Sequence, residues 1–257
     1  MKIISWNVNS IRIRKQQLLQ LIKNETPDFV CIQEIKSSND VFPKKEFEDL
    51  NYFVHVNGMP SYNGVSILTK HKVESTYSHA FCKKEDSRHI EVNYKGIRIH
   101  SIYVPAGGEA PDPSINKKFE HKLQFLNEMK EFFSNKDTNI LAGDLNIAPY
   151  ENDVWSHKQL KNVVSHTEIE RKKLLDILKT GNYIDTFRAL LSSSDNLFTW
   201  WSYRSPDFRV NNRGRRLDHI WLNKKNSFKL VKARILKEYR ELEKPSDHVP
   251  IILEINI

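Results

Sequence analysis

Short apolar runs, each closed by a polar residue, alternate along this chain with stretches whose apolar positions return every three or four residues. The first run, Lys2 to Trp6, predicts a strand. Ile11, Leu18, Leu19 and Ile22 then share one helical face, with Ser10 placed to cap it. A second strand is predicted over Asp28 to Gln33. Ser61 to Thr69, Val73 to Ala80, His89 to Tyr94 and Ile97 to Val104 have strand-like composition and are separated by Lys-rich or Gly turns, the pattern of antiparallel hairpins. Ser114 opens a predicted helix on which Phe119, Leu123, Leu126, Met129 and Phe133 form one stripe. Asn139 to Ala142 reads as a short strand and Glu168 to Leu178 as a helix. Arg216 to Leu222, Phe228 to Ile235 and Val249 to Leu253 read as closing strands. No linker interrupts the series. The expectation is one domain over residues 1–257, an α/β fold of two mixed sheets packed face to face with helices outside.

Composition narrows the class. The hydrophobic fraction of 39% and the absence of repetitive tracts exclude a disordered or collagen-like chain. Two cysteines, Cys31 and Cys82, cannot build a disulfide framework or a cysteine-rich zinc site, which fits a reducing cytosol. The N-terminus lacks the long apolar segment of a signal peptide or a membrane span, so neither export nor membrane attachment is expected. A formal charge of +8 favours a polyanionic partner, nucleic acid first, although a basic surface also serves solubility.

The chemistry lies where the apolar runs stop. In Ile140 to Pro149, Gly143 can turn the chain, and Asp144 and Asn146, two apart, share one side if the backbone stays extended. The same stretch also reads as a self-capped turn. Similar polar endings occur at Trp6-Asn7 and Gln33-Glu34, a later strand begins Arg216-Leu217-Asp218-His219, and the last is entered through Ser246-Asp247-His248. Singly, Glu34 is a solvated acid, Asp218 a turn residue and His248 a core histidine. Together, several carboxylates, carboxamides and one histidine make a hard oxygen site suited to Mg²⁺, with Mn²⁺ as substitute, and unlike tetrahedral zinc. Such a site suits in-line attack of water on a phosphodiester.

These residues, with Tyr103-Val104-Pro105, resemble in order and identity the exonuclease III family of abasic-site endonucleases, within the exonuclease-endonuclease-phosphatase superfamily. The resemblance covers essentially the whole chain. Thr199-Trp-Trp-Ser-Tyr-Arg and Asn212-Arg-Gly-Arg-Arg-Leu-Asp point to that family within the superfamily. It implies a four-layered α/β sandwich and a Mg²⁺-dependent nuclease that incises 5′ to abasic sites in duplex DNA. It also implies 3′-5′ exonuclease action and cleaning of blocked 3′ ends, by a cytoplasmic monomer that is nucleoid-associated if bacterial. By resemblance Glu34 is the principal metal ligand with Asn7 and Asp247 nearby, and the metal set extends to Asp144, Asn146 and His248. Asp144 orients or deprotonates the attacking water, and Asn146 helps hold a phosphate oxygen. His248, oriented by Asp218, contacts the scissile phosphate, and Tyr103 donates to the phosphate or the leaving oxygen. Asp144 is preferred over His248 as general base; the number of metals stays open.

Three positions depart from the family pattern. Asn9-Ser10 replaces an acid- or glycine-containing pair, Ala106 replaces an amide, and Arg215 stands where some relatives carry an aromatic residue, making the pocket more polar. Trp200, Trp201, Tyr203, Arg204, Arg209, Arg213, Arg215 and Arg216 interleave rings with guanidinium groups, a combination that fills the space of a missing base and grips phosphates. At least one of the two tryptophans is expected in the core. Trp200 and Leu217 are assigned to an apolar pocket for a flipped-out sugar, and Arg204, Arg213 and Arg215 to DNA contact. Alternatives are a phosphatase or phosphodiesterase of the same fold acting on lipid or inositol phosphates, and an inert nucleic-acid-binding module.

Overall fold

The computed structural model describes residues 1–134, 139–192, 195–204, 207–223 and 228–257. Strands β1 (Lys2–Asn7), β2 (Phe29–Gln33), β3 (Phe53–Asn57) and β4 (Val65–Thr69) join β11 (Lys229–Ile235) and β12 (Ile251–Asn256) in one six-stranded sheet, ordered β11-β12-β1-β2-β4-β3. The second sheet runs β5-β6-β7-β8-β10-β9, from β5 (Ser75–Tyr77), β6 (His89–Tyr94), β7 (Ile97–Tyr103), β8 (Asn139–Asp144), β9 (Tyr183–Asp185) and β10 (Asp218–Asn223). Each is mixed: β1 and β2, and β7 and β8, are parallel, and the other pairs antiparallel.

Alternation along the strands builds the layers. In β1, Ile3 joins Cys31, Ile67, Ile99, Ile140 and Ile220 between the sheets, while Ile4 and Trp6 face outward onto Leu18, Leu21 and Ile22 of the helix Ile11–Glu25. On the opposite outer face, Phe119, Leu126, Met129 and Phe133 of the helix Lys117–Phe133 pack with Leu174 and Ile177 of the helix Glu168–Thr180. Helix, sheet, sheet and helix make the four-layered sandwich that the resemblance implies.

Several boundaries differ from the sequence expectation. The strand expected from Ser61 begins at Val65, because Ser61, Asn63 and Gly64 take left-handed backbone angles. Val73 to Ala80 shortens to Ser75–Tyr77, and the last strand shifts to Ile251–Asn256. Asn116, rather than Ser114, caps the helix Lys117–Phe133, its side chain accepting from the Lys118 and Phe119 amides. Ser10 precedes the first helix but makes no side-chain cap; at φ 100° its amide donates 2.8 Å to the Glu34 carbonyl. Gly143 does not turn the chain. It continues β8, and its φ of 152° and close approach to the Ile102 carbonyl on β7 leave no room for a side chain.

Register positions the chemistry. Tyr103 on β7, Asp144 on β8 and Asp218 on β10 stand directly opposite one another across three strands. Asn7 ends β1 beside Gln33 at the end of β2, so Glu34 emerges next to it.

Candidate active site

Asp144 is the hub of a buried polar cluster between the two sheets. Its Oδ2 accepts from Asn7 Nδ2 at 2.8 Å, and its Oδ1 accepts from the Asn146 amide at 2.9 Å. Asn146, at φ 52°, therefore closes the self-capped turn while pointing its own side chain inward, so the structural and chemical readings of this stretch hold together. Its Nδ2 donates to Val104 O at 2.9 Å and to Asp144 Oδ2 at 3.2 Å. With those hydrogens committed, Asn146 braces Asp144 in this arrangement and has its Oδ1 left to meet a ligand.

Asn7 Nδ2 also donates to Glu34 Oε1 at 2.9 Å, while Asn7 Oδ1 accepts from the Asn9 amide at 3.0 Å. Its nitrogen thus bridges the two acids. Glu34 Oε2 lies 3.0 Å from Lys36 Nζ, a cation the sequence reading passed over.

His248 Nδ1 and Asp218 Oδ2 are 2.8 Å apart, and His248 Nε2 lies 3.5 Å from Asp144 Oδ2. Burial alone would depress the imidazole, but Asp218 and Asp144 outweigh it and raise its pKa to about 10. A charged ring carries a hydrogen on Nε2 as well as on Nδ1, so Nε2 has one to donate. Burial raises Asp144 to about 7, with His248 opposing the shift and Asp218 adding to it. Thr199, absent from the candidate residues, donates through Oγ1 to Asp218 Oδ2 at 2.6 Å and accepts from the Leu217 and Asp218 amides at 3.1 Å. Tyr103 is held well above its ordinary pKa by burial and by the charges of Glu34 and Asp144, so it stays a hydroxyl donor.

The sequence profile of the Endonuclease/Exonuclease/phosphatase family matches residues 4–248, a span that contains every one of these groups. The chain belongs to this family. Exodeoxyribonuclease III of Haemophilus influenzae is 29% identical over 99% of both chains. An AP endonuclease from Archaeoglobus fulgidus superposes with a TM-score of 0.92 at 29% identity, and the Neisseria 3′ phosphatase NExo bound to product DNA hairpin with 0.92 at 28%; each comparison covers 100% of both chains. The resemblance to the exonuclease III branch of the family is thereby borne out.

In this family member the buried cluster opens into a cleft of about 960 Å³ lined by Glu34, Tyr103, Asn146, Trp200, Leu217 and His248. Arg204, Arg213, Arg215 and Asp247 line it too. The tryptophan pair divides as alternation demands: Trp201 is 1% exposed and packs on Phe198 and Val249, whereas Trp200 is half-buried at the cleft beside Leu217. Asp247 accepts from Trp200 Nε1 at 2.9 Å and from Asn9 Nδ2 at 3.0 Å. Burial works against its charge, yet His248 and these two hydrogen bonds keep its pKa below the ordinary range.

Arg216 is not available to DNA. It is 1% exposed, with Nε and Nη2 on Asp153 at 2.8 and 2.9 Å and Nη1 and Nη2 on Asp185 at 2.9 and 2.7 Å. Arg209 pairs with Asp207 and Glu241 at the surface. Lys122 and Glu170 form a fully buried ion pair at 2.6 Å under the site, and Lys122 Nζ holds Asn146 O at 2.8 Å. The capping box that places Glu170, from Thr167 to Glu170, was visible in the sequence.

Proposed function

We propose that this chain is a DNA repair nuclease that hydrolyses the phosphodiester 5′ to abasic sites in duplex DNA, and that it also removes nucleotides and blocking groups from 3′ ends. The observation that carries the reading is the buried Asn7-Asp144-His248-Asp218 cluster opening onto a cleft that combines Trp200 and Leu217 with Arg204, Arg213 and Arg215. Its relatives' names agree: an exodeoxyribonuclease, an AP endonuclease and a 3′ phosphatase.

Water enters beside Asp144, which takes its proton as the new P–O bond forms; Asn7 and Asn146 hold the carboxylate in place. The cationic His248, fixed by Asp218, donates from Nε2 to a non-bridging phosphate oxygen, where charge accumulates. Tyr103 stands across from Asp144 and donates toward the departing O3′. The donor set fits a hard divalent cation, since Glu34 and Asp247 line one cleft near Asp144, oxygen donors with no thiolate among them. Glu34 and Asp247 would hold Mg²⁺ or Mn²⁺, which when bound neutralises phosphate charge. Trp200 and Leu217 receive the extruded sugar, which leaves its stack cheaply because it has no base to unpair.

Both cysteines are free and, among the described residues, no helix is long and apolar enough to cross a membrane; a cytoplasmic monomer acting on DNA is the corresponding proposal for its setting. Turnover of an abasic duplex, an intact duplex and a phosphoinositide, compared side by side with Mg²⁺, tests the reading. Abasic incision is expected to dominate. Turnover of the phosphoinositide alone would replace the reading with that of a lipid or inositol phosphatase.

A further inference from the structure

Arg14, in the first turn of the helix Ile11–Glu25, does not line the cleft and is buried, yet its side chain joins two loops that carry the site. Nε donates to Lys244 O at 3.0 Å and Nη2 to Pro245 O at 2.8 Å, gripping the backbone just before Ser246, Asp247 and His248. Nη1 donates to Asn9 O at 2.6 Å, and Nη2 also donates to Tyr203 Oη at 3.0 Å. The Tyr203 hydroxyl in turn donates to Pro245 O at 2.9 Å. Among the described residues every acceptor of Arg14 is uncharged. Three carbonyl oxygens thus converge on one side chain, and a planar fork of several donors satisfies them together. The Asn9 end is held under strain. Asn9 and Ser10 take left-handed φ values of 43° and 100°, which persist only where the surrounding bonds fix them. So held, the Asn9 side chain spans the two acids: its Oδ1 accepts from Lys36 Nζ, the partner of Glu34, and its Nδ2 donates to Asp247 Oδ1 at 3.0 Å.

We infer that Arg14 is a positioning residue: by tying the two loops together it sets the spacing of Asp247 from Glu34, and with it the affinity of the cleft for a hard divalent cation. This rests on the reading above that Glu34 and Asp247 hold that cation. Mg²⁺ accepts carboxylate oxygens only within about 2.0–2.1 Å and in near-octahedral directions, so a ligand whose backbone drifts binds it poorly. Asp247 has another tether in Trp200, but that contact fixes the carboxylate, whereas Arg14 fixes the backbone leading to it. Substitution separates the parts of this grip. Lysine at position 14 keeps the charge with its donors on a single atom; methionine keeps the length with none.

The test measures Mn²⁺ binding to the DNA-free protein, from the loss of the free-ion electron paramagnetic resonance signal, together with the Mg²⁺ concentration for half-maximal incision of an abasic duplex. Wild type, Arg14→Met, Arg14→Lys and Tyr203→Phe are compared at a temperature where circular dichroism shows each folded. Arg14→Met is expected to weaken Mn²⁺ binding about tenfold and to raise half-maximal Mg²⁺ alike, with the rate at saturating Mg²⁺ within about threefold of wild type. Arg14→Lys should recover part of the loss, and Tyr203→Phe, which deletes one tether, should lose about twofold to threefold. Asp247→Asn supplies the control: in that background Arg14→Met should weaken Mn²⁺ binding by no more than about twofold, because the ligand it positions is gone. Mn²⁺ affinity within about twofold of wild type in Arg14→Met, or an equal loss with and without Asp247, overturns the inference, since a merely structural role gives either result. If Arg14→Met does not fold, Arg14→Lys and Tyr203→Phe decide, and wild-type affinity in both overturns it. An Asp247→Asn protein that binds Mn²⁺ like the wild type overturns the metal assignment beneath the inference. A wild type that binds Mn²⁺ but cleaves no abasic duplex overturns the nuclease reading and leaves the role of Arg14 standing.

Discussion

The indole Nε1 of Trp200 donates 2.9 Å to Asp247 Oδ2, so the ring that walls the cleft, proposed to receive the sugar, also holds a carboxylate proposed to face the metal. Trp200 accordingly has two functions that a single truncation would confuse.

Trp200→Phe separates them, keeping an aromatic wall while deleting the N–H. The Mg²⁺ concentration for half-maximal incision is expected to rise about fivefold to tenfold, with preference for abasic over intact DNA largely retained. Trp200→Ala is expected to cost a further tenfold to hundredfold, roughly, on abasic DNA as the ring surface is lost. Excess EDTA should abolish incision in every variant. A magnesium titration with thermal melts alongside checks the order, and an unchanged half-maximal Mg²⁺ in Trp200→Phe would detach Asp247 from the metal.

Arg216 is predicted to matter for stability and not for DNA. Replacing it with Met leaves Asp153 and Asp185 buried without their shared cation, at a cost of about 3–5 kcal/mol. The salt dependence of DNA binding should stay that of the wild type, whereas loss of a phosphate contact would reduce its slope by about one unit. Denaturant melts and a binding series in KCl distinguish the two.

How far sequence reaches is shown by this pair of neighbours. Arg215 and Arg216 are indistinguishable in the string Arg-Gly-Arg-Arg-Leu-Asp, yet one lines the cleft and the other is core. The partners of Arg216 stand 63 and 31 residues away, so no local pattern announces them. Trp200 and Trp201 were separable in principle because neighbours on an extended chain point to opposite faces. Asp144, Asn7, Glu34, Asp218 and His248 were legible because each stands at an end of an apolar run, the first three closing one and the last two opening one, and the fold then brings those ends together. Strand Phe53–Asn57 was passed over although Val54-His55-Val56-Asn57 alternates; the run is short, and as an edge strand it has no fully buried residue. Thr199 and Lys36 escaped because their roles are hydrogen bonds to partners fixed only by the fold.

Acid sensitivity should trace partly to His219, which is 1% exposed and donates to or accepts nothing at Nδ1 among the described residues, while Nε2 lies 3.0 Å from Ile147 O. Burial, and then Arg216, depress its pKa from 6.5 to about 4. The folded state therefore binds fewer protons than the unfolded chain between those values. The stability this residue gives is complete above pH 6.5 and is lost as pH falls toward 4, a change of roughly 3 kcal/mol. Urea midpoints from pH 7.5 down to 4.5 should fall less steeply in His219→Gln than in the wild type; equal slopes would remove His219 from the account.

The central claim is that Asp144 accepts the proton of the attacking water, and single-turnover incision of an abasic duplex by Asp144→Asn under saturating enzyme measures it most directly. The amide cannot take that proton, so the chemical step is expected to slow by about a hundredfold or more. DNA affinity should hold or rise with one negative charge removed, and His248, losing a carboxylate at 3.5 Å, should titrate lower than in the wild type. A variant that cleaves within about threefold of the wild-type rate would contradict the claim and transfer the role of base to His248.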